Sequence, residues 1–143
     1  MSDDKREKLL LDEARRSSVI YNERATEFSK RIEAFENWLR NLEFRAESEV
    51  LFGLQERYLL RFTNTTGGWW LQVYVRDDDL VYVPFKSLTN CSIEIKTAAV
   101  KVFPVLLENL ITAQREALDS IEAAHKALDD MAATVGRFEE ETE

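Results

Sequence analysis

An uninterrupted stripe of apolar and small residues between Leu11 and Ala46 constrains the fold of this chain more than any other feature. Successive members lie alternately three and four residues apart, the repeat of a helix buried along one face, and the pattern lasts for about five heptads. A helix of this length needs a partner, because most helical stability comes from packing an apolar face. The stripe consists of Leu11, Ala14, Ser18, Tyr21, Ala25, Phe28, Ile32, Phe35, Leu39, Leu42 and Ala46.

A second stripe with the same spacing lies near the other end of the chain and supplies that partner. It runs from Val100 to Val135, and Pro104 lies within it. Because proline disrupts the interior of a helix but fits its first turn, Pro104 either kinks the second helix or marks its true first turn. The second stripe consists of Val100, Phe103, Leu107, Leu110, Gln114, Ala117, Ile121, Ala124, Leu128, Met131 and Val135.

The residues that flank the stripes predict where each helix begins and ends. We expect a first helix over residues 1–52, with Ser2 as its cap and Gly53 as its stop. The second helix is expected over residues 97–136, from a capping threonine to a closing glycine. An acidic tail follows over residues 137–143.

Residues 53–96, between the two helices, change to a two-residue period that is typical of β-strands. Three strands are predicted, and turn-forming residues separate them at 64–68 and 77–79. Pro84 has no backbone N–H, so the third strand should end there or lie at the sheet edge. Residues 91–96 form either a short extra strand or the approach to the second helix.

Together these elements predict a single α+β domain over residues 1–143. Its architecture is a long antiparallel helical hairpin, coiled-coil-like, with a three-stranded antiparallel β-meander inserted between the two helices. In such a hairpin, stripe residues pair so that their numbers sum to about 145 or 146. Phe28 then faces Ala117 and Tyr21 faces Ala124, so a large side chain meets a small one each time.

Charge and cysteine content exclude several classes of partner. The net charge of −8 and the pI near 4.8 disfavour nucleic acid, because that affinity comes mainly from lysine and arginine. Anionic membranes are disfavoured for the same reason. Cys91 is the only cysteine, so an internal disulfide is excluded and a reducing compartment fits best. With no signal-peptide core and no apolar run of membrane-spanning length, the chain is expected to be cytoplasmic, without membrane or nucleic-acid partners.

The side chains that carry chemistry are few and isolated. His125 is the only histidine, and it has no nearby cysteine with which to bind a metal or form a catalytic pair. Cys91 has no basic neighbour closer than Lys86 and Lys96, so a lowered thiol pKa is not indicated. The acidic run 77–79 lacks the spacing of a calcium loop and is typical of a turn. The sequence therefore predicts no catalytic, cofactor-binding or metal-binding residue, and a protein that is not an enzyme.

Two adjacent tryptophans, Trp69 and Trp70, form with Tyr74 the most prominent aromatic group. Neighbouring residues of a strand point to opposite faces of the sheet, so one tryptophan is expected to pack against the helices. The other either crosses to a neighbouring strand or contributes to a partner surface.

The second helix is apolar beyond its main stripe, so one partner helix cannot cover it. This surplus predicts a homodimer in which two hairpins pair as a four-helix bundle. His125, beside the stripe, is assigned to the boundary or to the interface. The flanking residues of this expected partner surface are Leu106, Ile111, Ala113, Leu118 and His125.

The order of helix, β-hairpins and returning helix resembles the plan of a prefoldin subunit, and that resemblance implies a coiled-coil chaperone. The residues favour a non-catalytic interaction or scaffold protein that acts by self-association and partner binding. Two alternatives remain open: a prefoldin-like holdase, and an acidic inhibitor that mimics nucleic acid, suggested by four basic and ten acidic side chains in residues 97–143.

Overall fold

The computed structural model describes residues 3–44, 46–65 and 67–142, with side chains as far as Arg137. The fold is α+β, as predicted, and begins with a long helix. In chain order the elements are α1 (Asp3–Asn41), β1 (Ser48–Phe52), β2 (Tyr58–Thr65), β3 (Gly68–Arg76), β4 (Tyr82–Ser87), α2 (Ile93–Val100) and α3 (Phe103–Thr142). Single 3-10 turns at Leu54–Glu56 and Leu88–Asn90 precede β2 and α2.

The strands of the described residues form one antiparallel sheet in the order β1-β2-β3-β4. The three predicted strands correspond to β2, β3 and β4, and Pro84 lies on the edge strand β4. The predicted count of three is wrong, because β1 pairs with β2 on the other side, with Val50 opposite Leu60. The sheet is therefore a four-stranded meander.

The additional strand comes from residues that were assigned to the first helix. α1 ends at Asn41 instead of continuing to residue 52. Glu43 takes a left-handed backbone conformation, with φ of 57°, which closes the helix without a glycine. Pairing with β2 then buries Phe52, and this burial outweighs helix continuation. Ser2, the predicted cap, lies outside the described residues.

The second predicted helix is in fact two helices. α2 begins at Ile93, where the Ser92 hydroxyl caps the first turn, so residues 91–96 belong to a helix start and not to a strand. The chain turns at Lys101, and Pro104 lies in the first turn of α3, the second of its two predicted alternatives. The predicted stop at Gly136 is wrong, since α3 continues to Thr142.

One face of the sheet carries the hydrophobic core, and α1, α2 and α3 pack on that face. From the sheet, Leu60, Phe62, Leu71 and Val73 are fully buried. The buried core residues are Ile32, Leu39, Phe44, Phe52, Leu60, Phe62, Leu71, Val73, Leu88, Cys91, Ala99, Leu106 and Leu110.

A buried carboxylate fastens α1 to an open edge of the sheet. Among the described strands, β4 pairs with β3 only as far as Gln72, so the rest of that edge of β3 has no strand beside it. The Glu36 carboxylate accepts a hydrogen bond from the Leu71 N–H at 2.8 Å. Arg40 donates to the Trp69 carbonyl and to Glu36 at 2.8 Å. The two side chains thus satisfy backbone groups that a further strand would have paired.

α1 and the second helical segment run in the same general direction, so the predicted antiparallel hairpin is wrong. Along α1, Ser29 accepts a hydrogen bond from Lys96 Nζ at 2.9 Å. Farther on, Phe35 stacks on Phe103, with ring centroids 4.3 Å apart. Beyond the end of α1, Glu43 and Ala46 line a groove together with Ala117 of α3. Residue numbers therefore increase in the same direction along α1 and along the α2–α3 segment that lies beside it.

The placement of α2 explains this direction. The turn that follows β4 buries Leu88 completely, and α2 then begins beside the C-terminal half of α1, where Ile93 and Phe28 line one groove. α3 consequently starts beside Phe35, near the C-terminal end of α1, and continues past that end. The predicted pairing of Phe28 with Ala117 is wrong, because Phe28 packs beside α2 and Ala117 is exposed.

Candidate functional site

Two long helical segments extend beyond the packed part of the molecule. We call residues 3–24 of α1 the N-terminal arm, residues 114–135 of α3 the C-terminal arm, and the sheet with the helical segments packed on it the body. Every side chain in both arms is exposed. The free part of α1 precedes its packed part, and the free part of α3 follows its packed part. Because both helices cross the body in the same general direction, the arms leave it at opposite ends.

Each arm carries a row of exposed apolar side chains. Tyr21 of the N-terminal arm is 59% exposed, and Leu128 of the C-terminal arm is 61% exposed. Ala124, the predicted partner of Tyr21, is also exposed, so that pairing within one chain is wrong. Contiguous exposed apolar surface marks an interaction site. The large apolar residues of the arms are Leu9, Leu10, Leu11, Val19, Ile20, Tyr21, Leu118, Ile121, Leu128, Met131 and Val135.

The partner surface predicted on the second helix is divided between body and arm. Leu106 is fully buried in the core, so it is not available to a partner. Ala113 is half-buried where α3 leaves the body. Ile111 lies exposed at the same level, and Leu118 and His125 are exposed on the C-terminal arm.

The sequence reasoning missed the N-terminal arm, since it assigned the whole first stripe to an intramolecular contact. One signal was available. Val19 and Ile20 lie off the stripe, and Leu9 and Leu10 precede its first member, so α1 is apolar over more than the face that one packed partner requires.

The two tryptophans face opposite sides of the sheet, as expected for neighbours in a strand. Trp69 is half-buried on the core face and stacks on Phe62, with ring centroids 5.3 Å apart. Trp70 lies on the outer face, opposite Thr63 in the neighbouring strand. Its ring packs on Gly67, where an added Cβ would lie 2.7 Å away. Trp69 therefore belongs to the core, whereas Trp70 and Tyr74 remain on the face that the helices leave uncovered.

Polar and aromatic side chains order this outer face. Arg61 donates to the Glu49 carboxylate at 2.9 Å and lies over the Tyr74 ring at 4.8 Å from its centroid. The hydrogen bond to Glu49 raises the pKa of Arg61 above its ordinary value. Trp70 Nε1 is buried and has no hydrogen-bond partner among the described residues. The face is thus a fixed aromatic surface with one unsatisfied donor.

The turn aspartates and the single cysteine have structural roles. The Asp77 carboxylate accepts hydrogen bonds from the N–H groups of Asp79 and Val81, both at 2.9 Å, so it closes the turn between β3 and β4. Burial raises the pKa of the Cys91 thiol, which disfavours the reactive thiolate. Within the described part of the chain, no group of three His, Cys, Asp or Glu side chains could hold a metal ion.

The chain matches no known protein family, no curated protein and no solved structure. In the described residues, no helix is both long and apolar enough to cross a membrane. The proposals that follow therefore depend on the geometry of the arms and of the outer sheet face.

Proposed function

We propose that this protein is a non-catalytic scaffold that self-associates through its helical arms and presents the outer sheet face to a partner. The observation that carries the proposal is the pair of arms, which are continuous with the body yet expose apolar side chains from Leu9 to Tyr21 and from Leu118 to Val135. We further propose that the functional unit is a homodimer. A reducing, cytoplasmic setting fits the single buried cysteine.

The stability of the arms supports self-association. Neither arm buries any of its side chains in the single chain. Helices in proteins gain most of their stability from the packing of an apolar face, and neither arm buries such a face in the single chain. Burying the stripe against another helix would stabilise the arm and remove the apolar surface from water at once.

The solvent-exposed area of the chain is also larger than that of a compact monomer of the same mass. The chain exposes 10904 Å², whereas a compact monomer of this mass exposes roughly 7,600 Å². The surplus of about 3,300 Å² is several times the roughly 800 Å² that each partner contributes to an interface of standard size. Covering the arms therefore offers enough area for a stable dimer.

Sedimentation equilibrium tests the proposal, since it measures mass independently of shape. At tens of micromolar we expect a mass of twice 16.7 kDa, with dissociation on dilution. A chain that remains at the monomer mass throughout this range would refute self-association. Trp70→Ala is the matched control, because it alters the outer sheet face and should leave the mass unchanged.

A holdase is the second candidate, and the exposed apolar residues in the outer halves of the arms favour it. The antiparallel hairpin of the prefoldin-like plan is not seen, but Leu11 and Met131 are exposed in the outer halves of the two arms, where a client could bind. If the protein acts in this way, it should suppress the light scattering of a heat-denatured client, and Leu11→Glu should weaken that effect. Unchanged scattering with the wild-type chain would exclude the holdase and leave the scaffold proposal standing.

A further inference from the structure

We infer that the arms pair reciprocally in the dimer, so that the N-terminal arm of one copy packs against the C-terminal arm of a second copy. This inference rests on the proposed self-association and specifies its partner. Its alternative is the pairing of two C-terminal arms, as the surplus apolar surface of the second helix suggests when the sequence is considered alone.

The direction of the arms favours reciprocal pairing. The arms leave the body at opposite ends, and a two-fold axis across the body turns one copy end over end. The N-terminal arm of one copy then lies beside the C-terminal arm of the other, with the free tips together and the chains antiparallel. The second pair forms by symmetry at the other end, so the assembly is closed and all four arms are covered. Pairing two C-terminal arms would leave both N-terminal arms in water.

The lengths of the helices are compatible with this pairing. The N-terminal arm contains 22 residues, which corresponds to about 33 Å of helix, or roughly three heptads. Since α3 continues beyond the C-terminal arm to Thr142, the α3 helix of the second copy is long enough to cover the whole N-terminal arm.

The distribution of charge separates the two arrangements. The C-terminal arm has five acidic and two basic side chains, whereas the N-terminal arm has six of each. Pairing two C-terminal arms would bring together two negative surfaces, which repel. The N-terminal arm is neutral overall, and Lys8, Arg15 and Arg24 flank its stripe. Its pairing with the acidic C-terminal arm avoids that repulsion.

A mixing experiment with two arm variants tests the inference. Leu11→Glu places a charge in the stripe of the N-terminal arm, and Leu128→Lys does so at nearly the same distance from the body in the C-terminal arm. Both side chains are exposed in the single chain, so both variants should fold, as circular dichroism would verify. Each variant alone should dimerise at least about tenfold more weakly than the wild type, because every arm pair then buries one unpaired charge.

Mixing the two variants in equal amounts should restore the dimer. The mixed dimer has one unmodified arm pair, and in the other pair the new glutamate and lysine lie opposite each other and form an ion pair, so no buried charge is left without a partner. Arg16→Glu and Ala133→Lys are the matched controls, since both lie opposite the stripes, and each should dimerise as the wild type does.

The other outcomes overturn the inference in distinguishable ways. If Leu11→Glu dimerises normally and Leu128→Lys does not, the C-terminal arms pair with each other, and self-association stands without reciprocal pairing. If both variants dimerise normally, another surface forms the dimer. If the mixture stays monomeric, the arms do not pair reciprocally. A monomeric wild-type chain would refute the proposed self-association together with this inference.

Discussion

Replacing Leu39 by alanine is expected to lower the free energy of unfolding by about 3 kcal/mol, within the range that buried leucines show. Leu39 is fully buried and belongs to the core cluster that α1 forms with the sheet. Its removal leaves a cavity that the paired strands cannot close. For a domain of this size, the midpoint of thermal unfolding should fall by roughly 10 °C.

The matched control is Leu11→Ala, a change of the same residue type in the same helix and on the same stripe. Leu11 is 58% exposed, so its truncation should change the free energy of unfolding by less than about 0.5 kcal/mol. The urea-induced unfolding of both variants should be measured at a protein concentration where sedimentation shows a monomer. Equal losses would show that the arm is packed within the single chain, contrary to the structure.

Replacing Glu36 by alanine should also be costly, about 2–3 kcal/mol, because it leaves the buried Leu71 N–H without an acceptor and Arg40 without its carboxylate. Glu36 is only 6% exposed. Amide hydrogen exchange gives a second measurement, since the Leu71 amide should lose protection more than its neighbours in β3.

Two variants separate the hydrogen bond from the charge. Glu36→Gln retains a carbonyl acceptor for the Leu71 N–H, so we expect a smaller loss of stability than in Glu36→Ala. Glu33→Ala removes an exposed carboxylate from the same helix and should change stability by less than about 0.5 kcal/mol. If Glu36→Ala behaved like Glu33→Ala, the carboxylate would not fasten the helix to the sheet.

Local patterns in the sequence predicted much of the secondary structure, because those patterns act over a few residues. The period of two and the turn residues located β2, β3 and β4, and the stripe from Leu11 to Leu39 identified α1. The strand β1 was missed because Leu42 and Ala46 extend the helical spacing beyond the true end of α1. Burial of Phe52 against β2 makes this segment a strand instead of a continuation of the helix, and that contact depends on residues elsewhere in the chain.

The packing of the helices could not be predicted in the same way. Leu11 and Leu39 occupy equivalent positions in one repeat, yet only Leu39 meets the sheet. The direction of α3 follows from the burial of Leu88 and from the place where α2 meets α1, and neither leaves a periodic trace in the sequence. For the same reason, Trp69 and Trp70 could be assigned to opposite faces, but which of them joins the core depended on where the helices pack.

The opposite courses of the two arms also affect how the protein moves through water. A compact chain of 143 residues has a radius of gyration of about 14.5 Å, whereas each arm alone extends about 33 Å. Friction on these extensions gives the single chain a large hydrodynamic radius. It should therefore elute from a gel-filtration column well ahead of globular standards of its own mass, and an early elution volume taken alone would imitate a larger assembly.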